Sequence, residues 1–362
     1  MPVSALDSIG PAFQHARQQL LQPFRIAQWA KLALVGLLAG ELTSGGCSTN
    51  FNVPAHSTQS GGSDQLLAIP SLPPLNPAVY AALIATVIVT GMILWILFIY
   101  VSSVMRFVLF DSIVARHCAI RQSWHRRQGP GVRLFVWQIV LSLCVFALLA
   151  IVVGVPTIFA AAAGWFKNSS QHLAPLILIG MFVFLFAAAV IVTAVVVHVF
   201  TKDFVVPQMA LEDISAFEGW RRLLPLLGRE KGSYAGYAGM KLIMTLAAAV
   251  VIGIVATIII IVMLIPVGGT AAAVVLAGKA VGLAWNPLTI TLAIVVGCML
   301  VLLIVYAVSF VSVPTIVFFP AYALYFFEAR YPALHAVLYP PPPEPPPAPV
   351  PVLPPIAPEP IG

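Results

Sequence analysis

Two stretches of this 362-residue chain limit its fold more than any others. Between Lys241 and Lys279, and again between Lys279 and Glu328, there is no Asp, Glu, Lys, Arg or His. About 20 apolar residues suffice to cross the hydrocarbon core of a bilayer as a helix, and both stretches are longer. A water-soluble fold must cover its surface with polar groups, and soluble domains carry about 25% charged residues. This chain carries 8% charged residues against 60% hydrophobic ones. The alternation over roughly ten residues that marks a transmembrane β-strand is missing. The expected class is all-α, a polytopic transmembrane helical bundle.

About six spans are readable. The first, Trp29 to Leu42, is short and carries Lys31 and Glu41. The others run from about Val79 to Val104, Leu134 to Phe159 with Pro156 as a kink, Leu173 to Phe200, and Met240 to Pro266. The sixth begins near Leu288 and stays apolar to Phe327, with Pro314 and Pro320 placed to break or bend it. The segment Gly268 to Trp285 reads as an outer interfacial helix or a shallow re-entrant piece. Residues 1–28 form an N-terminal amphipathic interfacial helix, residues 29–338 the transmembrane domain, and residues 339–362 a Pro-rich tail without a core. Residues 43–77, rich in Gly, Ser, Thr, Asn and Pro, form an outer loop.

The bases are not spread evenly. Sixteen Lys and Arg fall on one face of this topology, and only Lys167 and Lys279 on the other. By the positive-inside rule the first face is cytoplasmic and carries both termini. The expected location is the inner, or plasma, membrane. The net charge of +6 is explained by that bias and by anionic lipid, so nucleic acid is not an expected partner.

The charge is also periodic along the chain. AFQHARQQLL (12–21), AIRQSWHRR (119–127), AFEGWRRLLP (216–225) and FFEARYPAL (326–334) share a pattern of apolar residue, base and Leu or aromatic at spacings near a hundred residues. Weak internal repeats of this kind are common in membrane proteins. Each copy reads as a cationic amphipathic helix lying on the cytoplasmic face before a span. Interfacial segments are therefore expected at 106–133 and 201–236, with one helix over Ser112 to Arg126 and another over Met209 to Leu227. Gly129-Pro130-Gly131 and Gly228 to Gly232 read as turns into the next span. Ile214, Phe217, Trp220 and Leu224 would enter the acyl boundary. The residues expected to meet lipid at this interface are Arg121, Trp124, Arg126, Arg127, Trp220, Arg221 and Arg222.

Three blocks, PFRIAQWAKLAL, DFVVPQMALEDISAFEGWRRLLPLL and VPTIVFFPAYALYFFEARYP, together resemble a group of uncharacterised bacterial multi-pass proteins. That group is similar to the membrane domain found beside glycerophosphodiester phosphodiesterases. The resemblance implies the fold and carries no activity onto any residue.

No catalytic constellation stands out. HExxH, GxSxG and Walker patterns are missing, and Cys47, Cys118, Cys144 and Cys298 form no framework or CxxC pair. His198 reads as a polar residue at the interface, and His117 and His125 as solvated cations. Asp203, Glu212, Asp213 and Glu218 read as partners of Arg221, Arg222 and Lys231 within one helix. The GxxxG at Gly232 to Gly236 offers a close helix approach. No catalytic, cofactor or metal residue is expected. The expected function is a non-enzymatic scaffold or accessory subunit whose cytoplasmic face engages anionic lipid of the inner leaflet, a membrane-protein partner or a second copy. The alternative is a transporter or lipid-handling permease working without charged residues in the membrane.

Overall fold

The structure, a computed structural model, describes residues 4–22, 24–41, 77–166, 172–280 and 287–339. The expected outer loop and Pro-rich tail therefore lie outside the described residues except at Pro77 and Tyr339. Every regular element among the described residues is helical: α1 (Ile9–Leu21), α2 (Ile26–Leu38), α3 (Pro77–Val114), α4 (Ile120–Ala162), α5 (Leu173–Phe200), a π-helical turn (Thr201–Val205), α6 (Val206–Glu212), α7 (Ala216–Arg229), α8 (Lys231–Ala280), α9 (Pro287–Val311), α10 (Val313–Glu328) and α11 (Pro332–Leu338).

Among the described residues, five stretches are long and apolar enough to cross a membrane: Ile84–Val114, Ile120–Ala162, Leu173–Glu212, Lys231–Pro266 and Ile294–Val311. The expected first span is not among them. α2 has 13 residues, about 20 Å at 1.5 Å per residue, against a hydrocarbon core of about 30 Å. It lies instead against α3, α9 and α10, and the Tyr306 hydroxyl donates to its Ala30 carbonyl at 3.3 Å. The expected last span is two helices, with Ser312 between them and Pro314 in the first turn of α10, where a missing N–H costs nothing. α8 continues as helix to Ala280, so the stretch from Gly268 to Ala280 is neither a separate helix nor a re-entrant turn.

The long helices converge at the end that carries the bases, and there the short helices gather round them. α1 sits on α10 and on the end of α3. His15 Nε2 shares a hydrogen bond with the Ile113 carbonyl at 3.0 Å, and His15 Nδ1 one with the Tyr325 hydroxyl at 3.1 Å. Gln19 donates to the Ser112 carbonyl at 2.9 Å, and the Tyr322 hydroxyl donates to the Ala5 carbonyl at 3.1 Å. Beneath lies an aromatic cluster. Phe204 meets Tyr234, Tyr237 and Phe327 at centroid distances of 5.3, 5.1 and 5.3 Å, and Tyr237 stacks on Phe326 at 4.6 Å. Rings in such offset and edge-to-face contacts gain beyond the area that they bury.

The segments expected as interfacial helices differ from expectation in three places. The segment Ser112 to Arg126 is not one helix: it breaks after Val114, with Arg116 at a left-handed φ of 55°. Met209 to Leu227 is likewise two helices. Asp213 takes φ 54°, a conformation that Asp tolerates better than most residues, and Ser215 then caps α7 by accepting from the Glu218 N–H at 3.2 Å. Gly129-Pro130-Gly131 makes no turn, because all three residues lie inside α4. Gly131 serves close approach instead: a Cβ there would sit 2.6 Å from Val104 Cγ2 and 3.2 Å from Val104 Cα. Gly228 and Gly232 likewise lie inside helices, α7 and α8, and of the expected turn only a one-residue break at Glu230 is present. Gly232 and Gly236 have no neighbour within 4 Å of where a Cβ would stand, so the GxxxG brings no described helix close. The four similar segments therefore occupy unlike settings: α1, the first turns of α4, α7, and the junction of α10 with α11.

Candidate functional site

The site begins with Pro207. Lacking an N–H, it cannot bond to the carbonyl four residues back, at Asp203. The helix widens there, and the Val206 N–H reaches the Thr201 carbonyl five residues back. Such π-turns are frequent at functional positions. This one carries Lys202 and Asp203 into the centre of the charged end.

Each meets an opposite charge. Lys202 pairs with the buried Glu41, and Lys241 pairs with the buried Asp203. The Tyr237 hydroxyl also donates to Asp203 Oδ2, at 2.9 Å. Arg106, only 9% exposed, donates Nε to the Ala39 carbonyl at 3.3 Å and Nη2 to His198 Nε2 at 3.1 Å. Its Nη1 is buried and has no hydrogen-bond partner among the described residues. Glu41, Arg106, Lys202 and Asp203 line a cavity of about 30 Å³ against Phe110 and Pro320. Moving an ion out of water costs several kcal/mol, offset only by good partners. Five charges here thus make the charged end intolerant of losing any one of them.

The expectation that the spans are almost free of ionisable groups holds for their middles and fails at this end. Arg106, Asp203 and Lys241 lie inside the lengths that could cross a membrane. His198 is no isolated interfacial residue, since it is joined to Arg106. Asp203 is not paired within its own helix, since its partners come from α8.

A second cluster uses the residues expected at the lipid interface. Arg127 grips Asp111 with both arms, Nε to Oδ2 at 3.0 Å and Nη2 to Oδ1 at 2.7 Å, and its Nη1 donates to the Ala210 carbonyl at 2.6 Å. Its side chain is 14% exposed, so it ties α3, α4 and α6 together and does not face lipid. The rigid fork of a guanidinium suits this two-armed grip. Arg126 adds one bond to Asp111 at 3.0 Å while remaining 65% exposed. Trp220 also turns inward, stacking on Trp137 at 6.5 Å and donating Nε1 to Thr201 Oγ1 at 2.9 Å. Trp124 is half-buried, edge-on to Tyr100. Arg222 is held by Glu212 and Glu218; the Glu218 pair is the intrahelical one expected. Asp213 pairs with Arg133 of α4 at 3.0 Å. Ile214 is half-buried against the core. Arg121 and Arg221 are exposed.

α7 therefore has two faces. Ala216, Gly219 and Leu223 are buried, and a Cβ on Gly219 would come within 2.7 Å of Val205 Cγ1. Phe217, Arg221 and Leu224 look outward. On another side of the charged end, α1, α2, α8 and α10 enclose an apolar groove of about 660 Å³, lined by Phe13, Arg17, Trp29, Met244, Pro314 and Phe318 among others. Neither the groove nor the buried ion pairs was expected from the sequence. Among the described residues no three His, Cys, Asp or Glu side chains are grouped as a metal ion needs.

No curated protein and no solved structure matches this chain. The profile of a family of unknown function (DUF7544) matches residues 3–337, which take in α1 through α10 whole, and the chain belongs to that family.

Proposed function

We propose that the protein is a non-enzymatic multi-pass protein of the bacterial inner membrane, a scaffold or accessory subunit whose charged end faces the cytoplasm with both termini and engages anionic lipid. The outer face of α7 carries this reading. Phe217 is 71% exposed and the Arg221 side chain 75%, with Leu224 exposed beside them. Apolar and cationic residues on one exposed helix face suit the boundary between headgroups and acyl chains. Each base near an anionic surface adds about 1 kcal/mol of attraction. The sixteen-to-two bias of bases supports the orientation, and the three quoted blocks support a relation to the membrane domain found beside glycerophosphodiester phosphodiesterases. The exposed apolar helices leave room for a membrane-protein partner or a second copy.

The test is native mass spectrometry of the purified protein with Arg121, Arg126 and Arg221 changed to Gln. Retention of anionic lipid should fall while that of zwitterionic lipid stays the same. Equal retention of anionic lipid would contradict the reading.

The groove supports a second reading, a lipid-handling permease. Its volume suits one small apolar ligand or part of an acyl chain, and Arg17 places a cation on its wall. A phospholipid with a photoreactive acyl chain should label Met244 or Phe318, and Met244→Trp should reduce that labelling. Labelling confined to the middles of the spans would remove this second reading.

A further inference from the structure

We propose that a polar pocket between α1, the first turn of α2 and the break after α3 binds a small hydroxyl-rich anion of sugar-phosphate size. The inference is independent of the lipid contacts proposed for α7. Three observations meet at one place.

The first is the lining. A space of about 340 Å³ is lined by Gln18 and Gln19 of α1, Gln22 just after it, Gln28 of α2 and Arg116. Among the described residues no apolar side chain lines it, in a chain that is 60% hydrophobic. Small-molecule sites hold roughly 300–1,000 Å³, so the pocket suits a ligand at the small end of that range. An apolar or aromatic ligand would take these amides out of water without giving them partners, which is costly.

The second is placement. Gln19 is tied to α3 by its bond to the Ser112 carbonyl at 2.9 Å. Gln28 Nε2 donates to the Gln19 carbonyl at 3.3 Å and to the Arg116 carbonyl at 3.1 Å. The second of these bonds helps to hold Arg116 at its left-handed φ of 55°, a conformation uncommon outside glycine. Backbone strain of this kind gathers at ligand clamps.

The third is what the fold leaves unused. Arg116 Nη1 donates to Gln18 Oε1 at 3.1 Å, a neutral partner, and Arg116 is exposed and forms no ion pair among the described residues. Gln22 is exposed, and its side chain makes no hydrogen bond among the described residues. An amide both donates and accepts, and so does a hydroxyl. A guanidinium matches a phosphate or a carboxylate with two parallel bonds. No carboxylate lines the pocket, so a cation would meet only the positive charge of Arg116. Amides and one guanidinium together select hydroxyls joined to one anionic group.

Free sugar phosphates and the headgroups of inositol lipids share that chemistry, and the test separates them. The full chain, purified in a neutral detergent, is titrated with glucose 6-phosphate and, separately, with glucose and with inorganic phosphate. In a second arm phosphatidylinositol or phosphatidic acid is added to the micelles. Thermal unfolding should shift upward and saturate, as mass action requires for a ligand bound only by the folded state. A shift with glucose 6-phosphate larger than those of glucose and phosphate together supports a free ligand. A shift with phosphatidylinositol alone, which phosphatidic acid does not reproduce, supports a headgroup. In either case Arg116→Gln should weaken binding about tenfold or more, the loss of a charge-assisted bond. Gln22→Ala breaks no side-chain hydrogen bond of the described fold and should also weaken binding, so it decides the question if Arg116→Gln does not fold. Arg221→Gln, an exposed control on α7, should leave binding unchanged. No saturable shift in either arm, or a shift that Gln22→Ala and Arg116→Gln leave unaltered, would overturn the proposal and leave the pocket to water.

Discussion

Phe146 in α4 and Phe326 in α10 are the same side chain in opposite settings. The first is 72% exposed on the flank of a long helix, and the second is fully buried among Phe204, Tyr234 and Tyr237. The contrast extends to the regions around them. Along the most apolar windows of the crossing helices, few or no side chains are buried. At the charged end, aromatic rings, ion pairs and close helix contacts hold the buried core of the described residues. Acyl chains are as apolar as Leu or Phe, so helices in a bilayer gain little by burying such residues against one another. Polar pairs and well-fitted rings have no equal in lipid. The charged end is therefore where the sequence specifies one arrangement of its helices, and the middles of the spans set length and hydropathy.

The contrast can be broken most severely at the buried pairs. Asp203→Leu or Lys241→Met alone should cost about 3–5 kcal/mol, because each leaves a buried charge without its partner. The double variant should recover most of that loss, since an apolar pair of similar volume is often as stable as the ion pair it replaces. Chemical unfolding in detergent measures both. Additive losses in the double variant would mean that the two residues are not coupled.

A smaller effect is expected where α4 meets α3. Gly131→Ala drives a Cβ against the Val104 side chain and backbone, and overpacking of this kind costs about 1–3 kcal/mol. Gly129→Ala, two residues away and open on its outer side, should be neutral or slightly stabilising in a helix. Equal effects on the unfolding temperature at both positions would deny the close approach.

The smallest effect is one of pH. Burial lowers the His15 imidazole below its ordinary value of 6.5, with the bond to the Ile113 carbonyl opposing and Arg116 adding to the shift. Its two ring nitrogens serve one acceptor and one hydroxyl with a single proton. The folded state thus binds fewer protons than the unfolded state in mildly acidic solution. The stabilisation is complete above 6.5 and fades as pH falls through that value toward the lower folded one. Unfolding followed from neutral to mildly acidic pH should show this slope, and His15→Gln should flatten it. An unchanged slope would assign the titration to another group.

Much of this organisation was legible in the sequence, and the misses have physical causes. The five long apolar runs were readable because length and composition decide a crossing helix. α2 misled because its composition is that of a span while its length is not. Asp203 looked like a partner for nearby bases because sequence distance favours them, and only the π-turn at Pro207 aims it toward α8. Asp111 and Arg127 are 16 residues apart on two helices, a spacing to which no helical rule applies. One signal for the buried pairs does stand in the sequence. Arg106, Lys202 and Lys241 all stand within or beside apolar runs, where a charge needs a partner. Glu41 and Asp203 are carboxylates at the same end of the chain's spans. The inward turn of Arg127 and Trp220 had no such signal, since an amphipathic pattern shows that a helix has two faces and not which face a neighbour covers.

The measurement that bears most directly on the division of labour between the two regions is the paired truncation of those phenylalanines. Phe326→Ala should cost about 3–5 kcal/mol of unfolding free energy, because it opens a cavity in a ring cluster that cannot collapse around it. Phe146→Ala should stay within about 0.5 kcal/mol, the usual range for an exposed position, because acyl chains or detergent fill the space. Comparable losses at the two sites would show that the spans hold the fold as firmly as the charged end does, and would contradict the account.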